Sequence, residues 1–155
     1  TALKAYLKTY NDTLYYGVGN VSYVTSDFSK TSDTKLANVT GLTFTTASGG
    51  KYRFTANLFT SLTPGGNKVS MSGTNTATLF RSRVEFYTTS AVSVLPSTAL
   101  DEAEGETAQH LLVRIDGYID VNAGGTLTVQ FAQNASNGTP SKVLVGSWFE
   151  VNKIG

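Results

Sequence analysis

The chain has 155 residues and a mass of 16.5 kDa, with 40% hydrophobic and 15% charged residues. This size fits one globular domain that buries a substantial core without disulfides or structural metals. The lack of cysteine excludes disulfides, thiol nucleophiles and thiolate zinc sites, and a single histidine, His110, argues against a histidine-built metal site. We therefore expect no cofactor and no metal.

The charge is nearly balanced, because 12 Lys and Arg residues face 11 Asp and Glu residues, with a net charge of +1. DNA- and RNA-binding domains usually carry a basic stripe and a high pI, whereas this chain has a pI of about 7.8 and no basic run. Its apolar stretches are only a few residues long, too short to span a bilayer. We expect neither a nucleic-acid nor a membrane partner.

Residues 1–19 are predicted to form a short N-terminal arm. Some of its apolar residues recur near helical spacing, but residues 3–8 also alternate as a strand would, so helix and strand both stay open. The opening Thr1-Ala2-Leu3 is typical of a chain whose initiator methionine has been removed. It favours a complete small gene product, although a trimmed protein would begin in the same way.

Residues 20–155 are predicted to form one all-β domain. Thr, Val, Tyr and Phe are abundant, and glycine pairs at 49–50, 65–66 and 124–125 divide the chain into pieces of strand length. The clearest strands lie at 52–58, 111–121 and 126–132, where apolar and polar residues alternate. Weaker strands cover about 20–26, 39–46, 67–72, 76–88 and 142–153. Residues 122–125 are predicted to close a hairpin between the last two clear strands.

The candidate catalytic groups have simpler explanations. His110 lies near many serines and carboxylates, but the chain lacks a Gly-x-Ser-x-Gly elbow, so we do not assign it to a triad. Asp116, Asp120 and Glu150 are conceivable acids of a polysaccharide depolymerase, yet a salt-bridged wet face or a subunit seam explains the two aspartates more simply. We expect that the protein is not an enzyme.

The densest charge cluster is the acidic segment 101–106, which contains Asp101, Glu102, Glu104 and Glu106. Charge runs usually face water, so a solvated loop is the favoured interpretation. Clustered carboxylates also attract hard cations or a basic partner surface, and both alternatives stay open.

Two stretches together carry a resemblance to a known family. Gly50-Lys51-Tyr52-Arg53-Phe54 has the form Gly-x-Tyr-x-Phe, and the chain closes with the strand 124–133, a polar loop and the segment 143–151. These stretches resemble the trimeric jelly rolls of the tumour-necrosis-factor and complement globular-head superfamily, and more closely the version found in structural proteins of tailed bacteriophages. The resemblance covers about residues 20–155. It implies an antiparallel jelly-roll sandwich of about eight to ten strands and a homotrimer.

The resemblance also implies where subunits meet. The Tyr of the motif lies toward the trimer axis in the family, which makes Tyr52 a candidate for the trimer interface, whereas Phe54 is expected in the core. Burial of both aromatics in an ordinary monomeric core is the alternative. Tyr118 and Trp148 are the other candidates for the trimer interface.

The leading functional hypothesis is a capsid decoration, or cement, protein that binds the outer capsid surface of a virion and stabilises the shell. Its partner would be the major capsid protein, and three linked subunits would turn modest contacts into lasting attachment. The N-terminal arm would dock through a basic and aromatic set of side chains, namely Lys4, Tyr6, Lys8, Tyr10, Tyr15 and Tyr16.

The alternative is the receptor-binding knob of a phage tail or head fibre, which would recognise a host-surface glycan or protein through loops at one end of the sandwich. Its candidate contacts are three aromatics with polar neighbours: Phe80, Tyr87 and Tyr118, with Asn67, Asn75 and Asn134. A secreted cytokine-like ligand would share the same fold.

Overall fold

A computed structural model describes residues 20–155, so the predicted arm at residues 1–19 lies outside the described residues. Within 20–155 every regular element is a strand. No helix in this part of the chain is long and apolar enough to cross a membrane. The strands are β1 (Asn20–Tyr23), β2 (Phe28–Lys30), β3 (Ala37–Thr46), β4 (Lys51–Phe59), β5 (Asn67–Ser72), β6 (Thr76–Tyr87), β7 (Val92–Ser97), β8 (Glu104–Glu106), β9 (Leu112–Ala123), β10 (Gly125–Gln133), β11 (Ser141–Val143) and β12 (Trp148–Lys153).

The strands form an antiparallel sandwich. A six-stranded sheet has the order β1-β12-β4-β9-β6-β7, a four-stranded sheet has the order β3-β10-β5-β8, and β11 pairs with β2. Between β3 and β10 the chain changes sheet at nearly every connection, and β6–β7 is the one hairpin within a sheet in that stretch. This alternation between two facing sheets is a jelly-roll arrangement, as the sequence predicted.

The core lies between the two sheets and follows the predicted alternation. Tyr52, Phe54, Ala56 and Leu58 of β4 are buried, while Lys51 and Arg53 are exposed. β9 and β10 contribute a second set of buried residues, namely Val113, Ile115, Ile119, Val121, Leu127, Val129 and Phe131. The inward apolar face of each strand is therefore what holds the sheets together.

The predicted hairpin at residues 122–125 is wrong. β9 pairs with β4 and β6, whereas β10 pairs with β3 and β5, so the connection crosses from one sheet to the other. The two glycines instead let neighbouring loops pack closely against this connection. A Cβ on Gly124 would lie 2.8 Å from the backbone oxygen of Thr46, and one on Gly125 would lie 2.6 Å from Oγ1 of Thr74.

The strand count is higher than the predicted eight to ten, because twelve strands form within residues 20–155. Three of them, β2, β8 and β11, have only three residues. The predicted strand at 142–153 divides into β11 and β12 around Gly146, which has a φ of +88°. β7 was missed because its alternation is reversed, with Val92 and Val94 facing solvent and Ser97 buried.

Candidate functional site

One surface that could contact a partner is the solvent-facing side of the six-stranded sheet, the sheet with the most strands, which we call the outer face. It consists of side chains that alternate with the buried ones and stand beside one another in register. The members are Val21, Tyr23, Trp148, Glu150, Asn152, Lys51, Arg53, Thr55, Asn57, Phe59, Leu112, Arg114, Asp116, Tyr118, Asp120, Leu79, Arg81, Arg83, Glu85, Tyr87, Val92, Val94 and Pro96. All four arginines of the chain belong to this set.

A charged network occupies the middle of the outer face around Asp116. Thr55 donates its hydroxyl hydrogen to Oδ1 of Asp116 at 2.7 Å, and Nη2 of Arg114 donates to the same atom at 3.2 Å. Nε of Arg114 lies 2.7 Å from Oδ2, and Nη2 of Arg83 lies 3.9 Å from it. The hydrogen bond to Asp116 raises the pKa of Arg114.

The carboxylates considered for depolymerase chemistry are engaged individually. Asp116 belongs to the network above, Asp120 pairs with Lys51, and Oε1 of Glu150 accepts a hydrogen bond from Nδ2 of Asn152 at 2.7 Å. The two aspartates are thus salt-bridged on one face of the sheet, which agrees with either of the two simpler explanations, a wet face or a subunit seam. Exposed ion pairs of this kind each contribute about 0–1 kcal/mol to the free energy of unfolding. They therefore set the charge distribution of the surface and add little to the stability of the fold.

Two arginines stand apart from this network. In register, Tyr118 of β9 lies directly between Arg53 of β4 and Arg81 of β6, and we call these three residues the arginine row. Nη1 of Arg81 donates to the backbone oxygen of Phe80 at 2.8 Å. Within residues 20–155, the ion pairs of the outer face involve Lys51, Arg83 and Arg114, and neither Arg53 nor Arg81 has a carboxylate within 4.0 Å.

A shallow depression separates the arginine row from the charged network. It comprises two open hollows of about 400 Å³ each, which share Asp116 and Gly117. Gly117 has the inward parity of buried Ile115 and Ile119, and a Cβ there would overlap the core ring of Phe54 and lie 2.7 Å from the backbone oxygen of Arg81. The glycine therefore lets the Phe54 ring pack directly against β9 beneath the depression.

Apolar and aromatic side chains flank the charged centre on two sides. At the β1 edge, Tyr23 is 61% exposed and Val21 is 52% exposed, beside a half-buried Trp148. At the end of β4, near Trp148, Phe59 is 44% exposed, and on β7 at the opposite edge of the sheet Val92 is 51% exposed. Aromatic residues and arginine are enriched in protein–protein interfaces, and this face has both.

The structure separates the three predicted trimer-interface residues. Tyr118 and Trp148 both lie on the outer face, two strands apart in the order β12-β4-β9. Tyr52 does not join them, because it is only 3% exposed and its hydroxyl accepts a hydrogen bond from the backbone N–H of Ala47 at 2.9 Å. Its ring also packs edge-on against Phe44, with ring centroids 5.9 Å apart. Tyr52 is thus a core residue of one subunit, as is Phe54.

The side chains proposed for a fibre knob do not form one exposed cluster. Phe80, Asn67 and Asn75 are all buried, and only Tyr87 and Tyr118 reach the outer face. The set therefore cannot act as one loop-end binding site. The predicted docking residues Lys4, Tyr6, Lys8, Tyr10, Tyr15 and Tyr16 lie outside the described residues.

The acidic segment 101–106 is not a simple solvated loop, because residues 104–106 form β8 and pair with β5. Oε2 of Glu102 accepts hydrogen bonds from the backbone N–H groups of Thr98 and Ala99 and from the hydroxyl of Ser97. Oε1 of Glu106 accepts one from Ser93 at 2.7 Å. Within residues 20–155 no group of three or more His, Cys, Asp or Glu side chains is placed to hold a metal ion.

His110 is a buried core residue. It is 1% exposed, and its ring packs against that of Phe86, with ring centroids 4.9 Å apart. Its backbone oxygen accepts a hydrogen bond from the hydroxyl of Thr60 at 2.7 Å, and Nδ1 has no hydrogen-bond partner among residues 20–155. Burial lowers the pKa of His110 below its ordinary value of 6.5, while Glu106 opposes the shift.

The free energy of unfolding should therefore depend on pH through His110. At pH values just below 6.5 the unfolded chain protonates this imidazole and the folded chain does not, so we expect stability to fall as the pH drops from about 7 through 6.5. Urea unfolding of the native chain and of His110→Asn at several pH values between about 7 and 5.5 measures this dependence. The variant should have the flatter profile, and equal slopes would contradict the assignment.

The arginine row is the feature that sequence analysis missed. Arg53, Arg81 and Arg114 each occupy the polar position of an alternating strand, which was the available signal. The register between β4, β9 and β6 is what brings Arg53 and Arg81 to either side of Tyr118. Comparison with known proteins adds no assignment, since no family model and no curated protein matches the chain.

Proposed function

We propose that the protein is a homotrimeric capsid decoration protein, which binds the outer capsid surface of a tailed bacteriophage and stabilises the shell. It acts by contact with other proteins and not by catalysis. The single observation that carries this proposal is the composition of the outer face, where all four arginines lie among exposed or half-buried aromatic and apolar side chains. Such a face suits burial against protein.

The jelly-roll architecture and the Gly50-Lys51-Tyr52-Arg53-Phe54 motif support the same proposal, because both are features of the family that the sequence resembles. In this proposal Tyr118 and Trp148 contribute to the subunit interface, and Tyr52 supports the sheet from inside. The arm docks each subunit on the major capsid protein. Three simultaneous attachments per trimer would make release much slower than release of one subunit.

The oligomeric state is the first test. Light scattering at micromolar concentration should give three times the chain mass of 16.5 kDa. A mass that stays at one chain across this concentration range would overturn the trimer. Sedimentation velocity provides an independent measure of the same state.

Capsid binding is the second test, and it uses capsids of the encoding phage from which the protein has been stripped. Deletion of residues 1–16 should abolish co-sedimentation with these capsids while leaving the trimer mass and the melting temperature unchanged. A variant with Tyr6, Tyr10, Tyr15 and Tyr16 replaced by serine keeps the arm's length and should bind more weakly than the native chain. Unchanged binding by the deletion variant would remove the arm from the proposal.

The fibre knob is the second candidate, with a host-surface glycan or protein as its ligand. The observation in its favour is the open depression beside Tyr118, which has polar and aromatic walls. Labelled protein would then bind host cells and not stripped capsids. The decoration role predicts the reverse.

A further inference from the structure

The arginine row carries positive charge that residues 20–155 of the same subunit do not neutralise. Arg53 and Arg81 are both exposed and lie one on each side of Tyr118 across three adjacent strands. Neighbouring cations on the same face, Lys51, Arg83 and Arg114, all have carboxylate partners. An interface that covered this row without supplying carboxylates would bury two unpaired guanidinium groups, which is strongly unfavourable.

The acidic segment 101–106 carries an excess of negative charge. Its Glu104 is partly buried, and the carboxylate of this residue has neither a hydrogen bond nor an ion pair within residues 20–155. Burial, and then repulsion by Glu102, raise the pKa of Glu104, so its surroundings in one subunit disfavour the charged form. Asp101 is exposed beside it and likewise has no ion pair among the described residues.

These two surfaces belong to different sides of the sandwich. The arginine row lies on β4, β9 and β6 in the middle of the six-stranded sheet. Among residues 20–155, β8 is the edge strand of the four-stranded sheet and pairs only with β5. The exposed side chains Val92 and Val94 of β7, the free edge of the other sheet, lie just before the acidic segment in the chain.

A closed ring of three identical subunits requires this kind of arrangement. In a cyclic trimer each contact is heterologous, which means that one patch meets a different patch on the neighbour. Two patches of opposite charge on different sides of the subunit satisfy this requirement. Patches on the same side would favour a twofold dimer instead.

We propose that the acidic segment 101–106 of each subunit docks on the arginine row of the next subunit. This inference rests on the proposed trimer and names the contact that closes it. Glu104 and Asp101 supply the carboxylates, Arg53 and Arg81 bind them, and Tyr118 fills the space between the two guanidinium groups. Arginine suits this role because its planar group binds a carboxylate through two parallel hydrogen bonds.

The test compares the full-length native chain with three variants by sedimentation equilibrium. R53E/R81E and E104K should each raise the trimer dissociation constant by at least about tenfold, because each places like charges in contact. Combining them as R53E/R81E/E104K should recover part of the loss, because opposite charges face each other again. K35E is the control, since it reverses an exposed lysine away from both patches and should leave the constant unchanged.

Each outcome is decisive. If the native chain is a monomer, the proposed function fails along with this inference. If the native chain is a trimer and R53E/R81E remains as tightly associated, the inference alone is overturned. If R53E/R81E dissociates but E104K does not, the arginine row contacts something other than the acidic segment, which also overturns the inference.

Folding is checked by circular dichroism before association is measured. Should a charge reversal fail to fold, the neutral variants R53Q/R81Q and E104Q replace it. They should dissociate more readily than the native trimer and show a weaker dependence on salt, because fewer ion pairs are screened. A salt dependence identical to that of the native chain would overturn the proposed contact.

Discussion

Replacing Phe131 by alanine should lower the free energy of unfolding by about 3–5 kcal/mol, the usual cost of deleting a large buried aromatic side chain. Phe131 is fully buried on β10, which lies between β3 and β5 in the four-stranded sheet. Its ring meets that of Phe28 edge-on, with centroids 6.4 Å apart. Alanine would leave a cavity that the surrounding strands cannot close. Urea unfolding followed by fluorescence measures the loss.

The same substitution at Phe59 is the control. Phe59 lies on the outer face and is 44% exposed, so its replacement leaves no cavity and should cost about 1 kcal/mol or less. Phe131→Leu roughly conserves volume and should cost less than about 1.5 kcal/mol. Equal losses for the two alanine variants would mean that the packing described for β10 is wrong.

Gly66→Ala should lower the free energy of unfolding by about 2–5 kcal/mol, from left-handed backbone strain and overpacking together. Gly66 has a φ of +68°, and an added Cβ would overlap the backbone oxygen of Glu106 and lie 2.7 Å from the backbone carbon of Thr107. Because these atoms are backbone, no side-chain rotation relieves the contact. Thermal unfolding by circular dichroism measures the effect.

Gly138→Ala is the matched control, since a Cβ there meets no atom within 4 Å. We expect it to change the free energy of unfolding by no more than about 0.5 kcal/mol. Amide hydrogen exchange adds a local readout for Gly66→Ala, because the substitution should loosen the pairing of Asn67 with Glu106 first. Protection of β8 equal to that in the native chain would contradict the predicted clash.

The Gly66 contact also bears on association. Asn67, the next residue, pairs with Glu106 at the end of β8, so the backbone at Gly66 helps to hold the acidic segment in place. A Gly66→Ala chain that stays folded at low temperature should therefore associate more weakly than the Gly138→Ala chain. The arginine row is unchanged in both variants.

The sequence was sufficient where structure depends on neighbours along the chain. Strand propensity and the alternation at residues 52–58 identified the all-β fold class and the face that Tyr52, Phe54, Ala56 and Leu58 share. The same pattern placed Asp116 and Asp120 on one face with Arg114, and the structure pairs Asp116 with Arg114 and Asp120 with Lys51. Alternation is local, because successive side chains of any strand point to opposite sides.

Pairing between distant strands was decided only by the tertiary structure. Alternation cannot tell whether β9 and β10 share a sheet, so the expected hairpin became a crossover. Alternation likewise cannot tell whether Tyr52 lies at a trimer axis or in the core of one domain. Nor can it predict that Arg53 and Arg81 lie on the two sides of Tyr118. Each of these depends on strands far apart in sequence, whose order and register follow from how the whole core packs.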